Sequence, residues 1–164
     1  MSKVRSYLSL IKFSHTIFAM PFALIGFTLG IFEYTSIIPG WHKKIFPPQF
    51  DWGSLGVKFV LVILCMVFAR SAAMAFNRYL DRRFDAKNPR TAIREIPSGV
   101  IKANNVLWFT LANCLLFIAC CFFINKLCFY LSLVALAIAL GYSYTTRFTP
   151  LCHLVLGLGL SLAP

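Results

Sequence analysis

The stretch Val57–Asp85, VKFVLVILCMVFARSAAMAFNRYLDRRFD, decides the fold, because a long apolar run leads directly into a short polar segment. About 20 apolar residues, at roughly 1.5 Å rise per residue, cross the hydrocarbon layer of a bilayer as one helix. The run ends at Phe76, and the polar segment after it carries Asn77, Asp81 and Asp85. The sequence therefore predicts a membrane-spanning helix that brings oxygen ligands to one membrane boundary.

Composition extends this interpretation to all 164 residues. Hydrophobic residues make up 59% of the chain and charged residues 13%, and the mean hydropathy is +0.76, which is typical of a membrane protein. We predict an all-α, polytopic transmembrane helix bundle that forms one domain. The predicted spans cover about 13–32, 57–80, 106–124 and 127–145. A last apolar run, 151–164, is too short to span, so we expect the N-terminal part of a longer domain, ending within its fifth helix.

The basic residues predict an orientation. The net charge is +11. If the N-terminus is cytoplasmic, eleven of the lysines and arginines between the spans or at their ends lie on the cytoplasmic side and four on the other. This asymmetry follows the positive-inside rule. We therefore expect a multi-pass protein of the cytoplasmic (inner) membrane, with its N-terminus and the loop 81–102 in the cytoplasm. Because topology accounts for the charge, no nucleic-acid partner is expected.

The polar segment predicts a metal site. Asn77, Asp81 and Asp85 recur every four residues, so they share one helix face over two turns. Two carboxylates placed in this way repel each other, by roughly 0.2–0.5 kcal/mol when exposed, and a cation relieves the repulsion. Mg²⁺ prefers hard oxygen ligands and usually takes one or two carboxylates together with substrate phosphates. We predict Asn77, Asp81 and Asp85 as metal-binding and catalytic residues, with Mg²⁺ as the cofactor.

Arginines near these ligands are candidates for binding a phosphorylated substrate. Arg70 lies inside the second span, where an arginine costs roughly 2.5–3.5 kcal/mol on an insertion scale, and such an intramembrane charge is a functional candidate. Arg90 and Arg94 follow in the basic loop and can hold phosphate through charge-assisted hydrogen bonds. A simpler interpretation stays open for several loop arginines, since each gains about 1 kcal/mol from anionic lipid headgroups.

Three segments carry a joint pattern. The first is Lys12–Leu24. The second runs from Arg70 to Gly99 and contains Asn77, Asp81, Asp85, Asn88-Pro89-Arg90-Thr91, Arg94 and Pro97-Ser98-Gly99. The third is Tyr142–Thr149, with Leu156-Gly157 beyond it. This pattern resembles the UbiA superfamily of intramembrane prenyltransferases over nearly the whole chain. Within the superfamily it looks most like the 4-hydroxybenzoate polyprenyltransferase branch and its relatives in menaquinone synthesis.

The resemblance implies a UbiA-like bundle and Mg²⁺-dependent transfer of a polyprenyl group. The donor would be a polyprenyl diphosphate and the acceptor a small aromatic such as 4-hydroxybenzoate, in ubiquinone or menaquinone biosynthesis. It also implies Tyr142 and Arg147 as substrate-binding residues, although Thr146 stands where relatives often carry lysine. The family holds the diphosphate between two aspartate motifs, and only the first is present, because no acidic residue follows Glu95.

Two other interpretations remain open. A cation-coupled membrane transporter would use Asp81 and Asp85 as its ion site, but a pathway needs polar residues in several spans. The third and fourth spans offer mainly Asn113, Ser132 and Ser143, which disfavours transport. An inactive fragment is the other alternative. With one aspartate motif and an incomplete fifth span, we expect the 164-residue chain to lack turnover by itself.

The charge asymmetry generates a topology prediction. In a background without native cysteines, Lys87→Cys should react with a membrane-impermeant maleimide only from the cytoplasmic side, and Lys43→Cys only from the opposite side. Labelling in intact cells and in inverted vesicles measures both. Reaction of the Lys87 position from outside intact cells would reverse the orientation.

Overall fold

The computed structural model describes residues 3–36 and 52–145, and the regular secondary structure in these ranges is α-helical. The helices are α1 (Lys3–Leu10), α2 (Phe13–Ser36), α3 (Trp52–Asp85), α4 (Ala103–Ile124) and α5 (Lys126–Thr145). Of the described helices, α3, α4 and α5 are long and apolar enough to span a membrane. Large apolar side chains also face outward, with Trp108, Leu115 and Phe123 each about 70% exposed, as lipid contact requires. The predicted all-α membrane bundle is confirmed.

The helix ends differ from the predicted spans. A separate helix, α1, precedes the first predicted span, and Lys12, whose φ of 45° is left-handed, lies in the turn between α1 and α2. Helix α3 begins before Val57 and continues past the predicted end at residue 80 to Asp85. Hydropathy marks the apolar part of a helix, whereas the backbone hydrogen bonds continue into the polar segment. Asp81 and Asp85 consequently lie in the last two turns of a helix and not in the predicted loop 81–102.

Helices α3 and α4 form an antiparallel pair, the most extensive helix contact in the described chain. Ala75 in α3 packs with Val106 at the start of α4. Cys65, about 15 Å earlier along α3, packs with Cys121 near the end of α4. A single residue, Asn125, separates α4 from α5, so α5 runs back along α4, as short connections between packed helices require. The C-terminal ends of α3 and α5 therefore lie at the same end of the bundle.

The short helix α1 packs against this end. A buried cluster links α1, α3, the α3–α4 connection (residues 86–102) and α4, and its members are Leu10, Ala75, Ile101 and Val106. Leu10 is fully buried in it. Beside the cluster, the ring of Tyr7 lies 5.0 Å, centroid to centroid, from that of Phe109. Four separate segments thus meet next to the aspartates.

The α3–α4 connection is folded by its own hydrogen bonds. The carbonyl oxygen of Asn88 accepts the N–H groups of Thr91 and Ala92, both at 2.9 Å. The side-chain oxygen of Asn88 accepts the N–H of Arg90 at 3.0 Å, a local turn that asparagine favours. Gly99 supplies the left-handed residue, with φ at 77°. The backbone of the connection is therefore held in a defined position near the end of α3.

The packing of α1 generates a stability prediction. Leu10→Ala should lower the free energy of unfolding by about 2–5 kcal/mol, the usual cost of a buried leucine deletion. It should also speed amide exchange in the α3–α4 connection, because Ile101 loses its neighbour. Denaturation and hydrogen exchange in detergent measure these effects.

Leu8→Ala is the matched control, since Leu8 lies on the same helix but is 43% exposed. Its effect should stay within about 0.5 kcal/mol. Equal effects of the two substitutions would show that α1 does not depend on the cluster.

Candidate active site at the C-terminal end of α3

The predicted ligands lie on one side of the last turns of α3. Each four-residue step advances about 40° around the helix, so the stripe of Asn77, Asp81 and Asp85 turns gradually. Asn77 and Asp81 are half-buried, and Asp85 is buried, with 7% exposure. The stripe thus passes from a partly open face into the packed interior.

Their position on the helix is electrostatically unfavourable. The C-terminal end of a helix carries about half a negative charge, which repels carboxylates and attracts cations. Arg82 and Arg83 lie in this last turn. Arg82, however, turns toward its own helix, where Nη1 donates to the Tyr79 carbonyl at 2.6 Å and the guanidinium lies 4.1 Å from the ring centroid of Tyr79. Asp85 also draws on cations from outside this helix.

One such cation is Arg94 of the α3–α4 connection. Its Nη1 donates to both carboxylate oxygens of Asp85, at 2.6 Å and 2.8 Å. The side chain of Asp85 is 9% exposed and that of Arg94 34%, so this pair is better shielded from water than an ordinary surface salt bridge. Thr91 Oγ1 donates to the backbone carbonyl of Asp85 at 3.0 Å, which ties the connection to the end of α3 at a second point.

Arg78 is a further candidate residue, which the sequence analysis missed. It is only 9% exposed. Its charge is attracted by Asp81, Asp85 and Glu95 and repelled by Arg94. Its Nε is buried and has no hydrogen-bond partner in the described structure. The spacing carried a signal, because Arg78 precedes Asp81 by three residues and Asp85 by seven and so lies on nearly the same face.

Glu95 has a different role at this end. Its Oε1 accepts a hydrogen bond from Ser9 Oγ of α1. The contact joins α1 to the connection one residue after Arg94. Three carboxylates thus share this end of α3 with the guanidinium groups of Arg78 and Arg94, and the third carboxylate accepts a hydrogen bond from α1.

The other predicted residues are more dispersed. Arg70 is half-buried in α3 with its Nε buried and without a partner among the described residues, but it lies about 16 Å along the axis from Asp81. Arg90 is exposed in the connection, and Tyr142 is half-buried near the C-terminal end of α5. Arg147 lies outside the described residues. The structure therefore brings together Asp85 and Arg94, leaves Arg70 about three turns before Asp81, and places Tyr142 at the same end of the bundle.

The donor set can be tested against the predicted metal. Within residues 3–36 and 52–145, no three His, Cys, Asp or Glu side chains converge where they could hold an ion. Asp81 and Asp85 offer two carboxylates and Asn77 an amide oxygen. These hard donors fit Mg²⁺, which keeps several waters and takes further oxygens from substrate phosphates, and do not fit the nitrogen and sulfur preference of zinc.

The polar residues of α4 and α5 bear on the transporter alternative. Thr110, Asn113 and Ser132 each donate to a backbone carbonyl three or four residues earlier in their own helix, at 2.9, 2.7 and 2.6 Å. These side chains satisfy local hydrogen bonds, as is usual for polar residues inside apolar helices. In the described spans they do not add donors to the site at the end of α3.

Comparison with known proteins identifies the family. The model of the UbiA prenyltransferase family matches residues 45–164. A 4-hydroxybenzoate octaprenyltransferase of Neisseria meningitidis is 40% identical over 92 residues, which is 56% of this chain and 31% of that protein. A protein of the same name from Aliivibrio salmonicida is 30% identical over 166 residues, covering 99% of this chain and 52% of its own length.

A solved structure agrees with the sequence matches. The apo structure of a UbiA homolog from Aeropyrum pernix K1 superposes with a TM-score of 0.67 at 30% identity, over 92% of this chain and 48% of that one. The chain spans between about a third and about half of the length of the curated relatives named above. The family match over most of the chain and this shared fold lead to one conclusion: the chain belongs to the UbiA prenyltransferase family.

Proposed function

We propose that the full-length protein transfers a polyprenyl group from a polyprenyl diphosphate to a small aromatic acceptor such as 4-hydroxybenzoate. The observation that carries the proposal is the pair of carboxylates, Asp81 and Asp85, at the end of an apolar helix beside Arg94 and Arg78. A lipid-linked diphosphate has matching chemistry, because its tail belongs in the bilayer and its head group needs cations at the boundary. Two relatives carry the name 4-hydroxybenzoate octaprenyltransferase, which supports this acceptor.

The reaction separates charge in a defined way. The bond between the allylic carbon and the diphosphate oxygen breaks, and its electron pair leaves with the diphosphate. A ring carbon of the acceptor then bonds to the allylic carbon and loses its proton to water. Negative charge grows on the diphosphate in the transition state, so preorganised cations accelerate the step. Arg78 and Arg94 are placed to stabilise this charge.

Mg²⁺ is part of the proposal. Asn77, Asp81 and Asp85 would hold the ion. When bound, Mg²⁺ neutralises phosphate charge and binds the leaving diphosphate. Of these carboxylates, Asp85 is paired with the guanidinium of Arg94.

Arg70 is assigned to a second anionic contact. Its buried, unpartnered Nε lies deeper in the span than the aspartates, and a buried donor without a partner is costly. A bound carboxylate or phosphate group would satisfy it. We assign Arg90, Tyr142 and Arg147 to substrate binding on the family resemblance, and propose a place in the cytoplasmic membrane with the N-terminus inside, in ubiquinone or menaquinone synthesis.

This mechanism predicts that Asp81→Asn and Asp85→Asn each lower kcat of the full-length enzyme by roughly 10²–10³-fold, the loss typical of removing one preorganised contact to a developing charge. Activity should also require Mg²⁺. Prenyl transfer from a polyprenyl diphosphate to 4-hydroxybenzoate, measured in detergent with and without a chelator, tests both expectations.

Glu95→Gln is the matched carboxylate control. Glu95 accepts from Ser9, and glutamine keeps that acceptor, so the Mg²⁺ requirement should not change. If a folded Asp81→Asn or Asp85→Asn enzyme kept near-normal turnover without added metal, the site assignment would be wrong.

A further inference from the structure

The contact between Arg94 and Asp85 has a specific geometry. A single nitrogen, Nη1, lies 2.6 Å from one carboxylate oxygen and 2.8 Å from the other. It is therefore centred between the two oxygens, on the side where a chelated cation is held. A guanidinium frequently approaches a carboxylate with two nitrogens, one for each oxygen, whereas here one nitrogen contacts both oxygens.

We propose that Arg94 is a cation placeholder: it fills the chelating position of Asp85 in the metal-free protein, and moves to the diphosphate when a divalent ion binds. This inference rests on the proposed function and concerns which group occupies the proposed metal site before the ion binds. The same two oxygens cannot hold both cations, because the metal needs oxygens at about 2.0–2.1 Å and charge repulsion opposes a guanidinium beside it.

The surroundings of Arg94 support a residue with two positions. Arg78 repels it, which weakens its hold on Asp85 without removing the attraction. Arg94 is also the more exposed partner, at 34% against 9% for Asp85, so it can swing outward while Asp85 stays in place. Thr91 and Glu95 anchor the backbone on either side of Arg94, through the Asp85 carbonyl and through Ser9, so the released guanidinium stays near the site.

As a placeholder, Arg94 has opposite effects on metal binding in the absence and in the presence of diphosphate. Without diphosphate, Arg94 competes with the metal, and the apparent dissociation constant is the intrinsic one divided by the fraction of protein in which Asp85 is free. With diphosphate, the released guanidinium gains a charged partner and strengthens binding. An arginine with a purely structural role would strengthen metal binding both without and with diphosphate, because it would hold the site together.

The test measures binding of Mn²⁺, the probe for the divalent ion, to the full-length protein in nanodiscs of neutral lipid. Electron paramagnetic resonance monitors the binding with and without inorganic pyrophosphate. Arg94→Gln should bind Mn²⁺ alone about tenfold more tightly, as expected if Asp85 is free in roughly a tenth of the molecules. It should bind the Mn²⁺–pyrophosphate pair more weakly than the wild type.

Lys102→Gln is the control for net charge, since it removes one positive charge from the exposed end of the same connection. It should change Mn²⁺ binding less than about twofold, because exposed charges are screened by salt. If Arg94→Gln binds Mn²⁺ no better than the wild type, or no better than Lys102→Gln, the placeholder is disproved.

A measurement on the unsubstituted protein avoids any folding defect of the variant. Amide exchange over residues 91–95 should rise when Mn²⁺ is added alone and fall again when pyrophosphate follows. A decrease with Mn²⁺ alone would overturn the inference. Failure of the proposed metal site itself would give a different result. Mn²⁺ binding would then be absent, or it would survive in Asp85→Asn.

Discussion

Two like charges at the C-terminal end of an apolar helix are the constraint on which this end of the molecule depends. Asp81 and Asp85 repel each other, and the helix dipole repels both. Nearby cations offset this repulsion, although Arg82 of the last turn donates to the carbonyl oxygen of Tyr79. Arg94 supplies one such cation from the α3–α4 connection, and Arg78 supplies another from within the helix.

The hydrophobic packing beside the site serves this charge balance. Leu10, Ile101 and Val106 come from three different segments and meet in one buried cluster around Ala75. This cluster fixes the connection relative to α3, and the hydrogen bond between Ser9 and Glu95 fixes it again next to Arg94. Apolar packing is non-directional, so the polar contacts determine which side chain faces Asp85.

Local charge compensation of this kind is compatible with a site that exchanges ligands. The guanidinium of Arg94 compensates the carboxylate of Asp85, and in the proposed mechanism it would become available to an anion when a metal took its place. A site compensated by a neutral hydrogen-bond network would lack that second use. Arg70 is also suited to bind an anion, because its buried Nε lacks a protein partner in the described structure.

The sequence by itself determined the class of fold and predicted where the candidate site lies. Apolar runs of spanning length require helices in a bilayer, since every backbone group must be bonded within the segment, and the four-residue spacing of Asn77, Asp81 and Asp85 fixes their shared face. The tertiary structure decided what depends on distant segments. It showed helix α1, the end of α3 at Asp85, the burial of Arg78, and the choice of Arg94 over other loop arginines as the partner of Asp85. Hydropathy and spacing are local properties and could place Arg78 on the face of the aspartates, whereas the pairing of Asp85 with Arg94 depends on how separate segments pack, so no local pattern could have specified it.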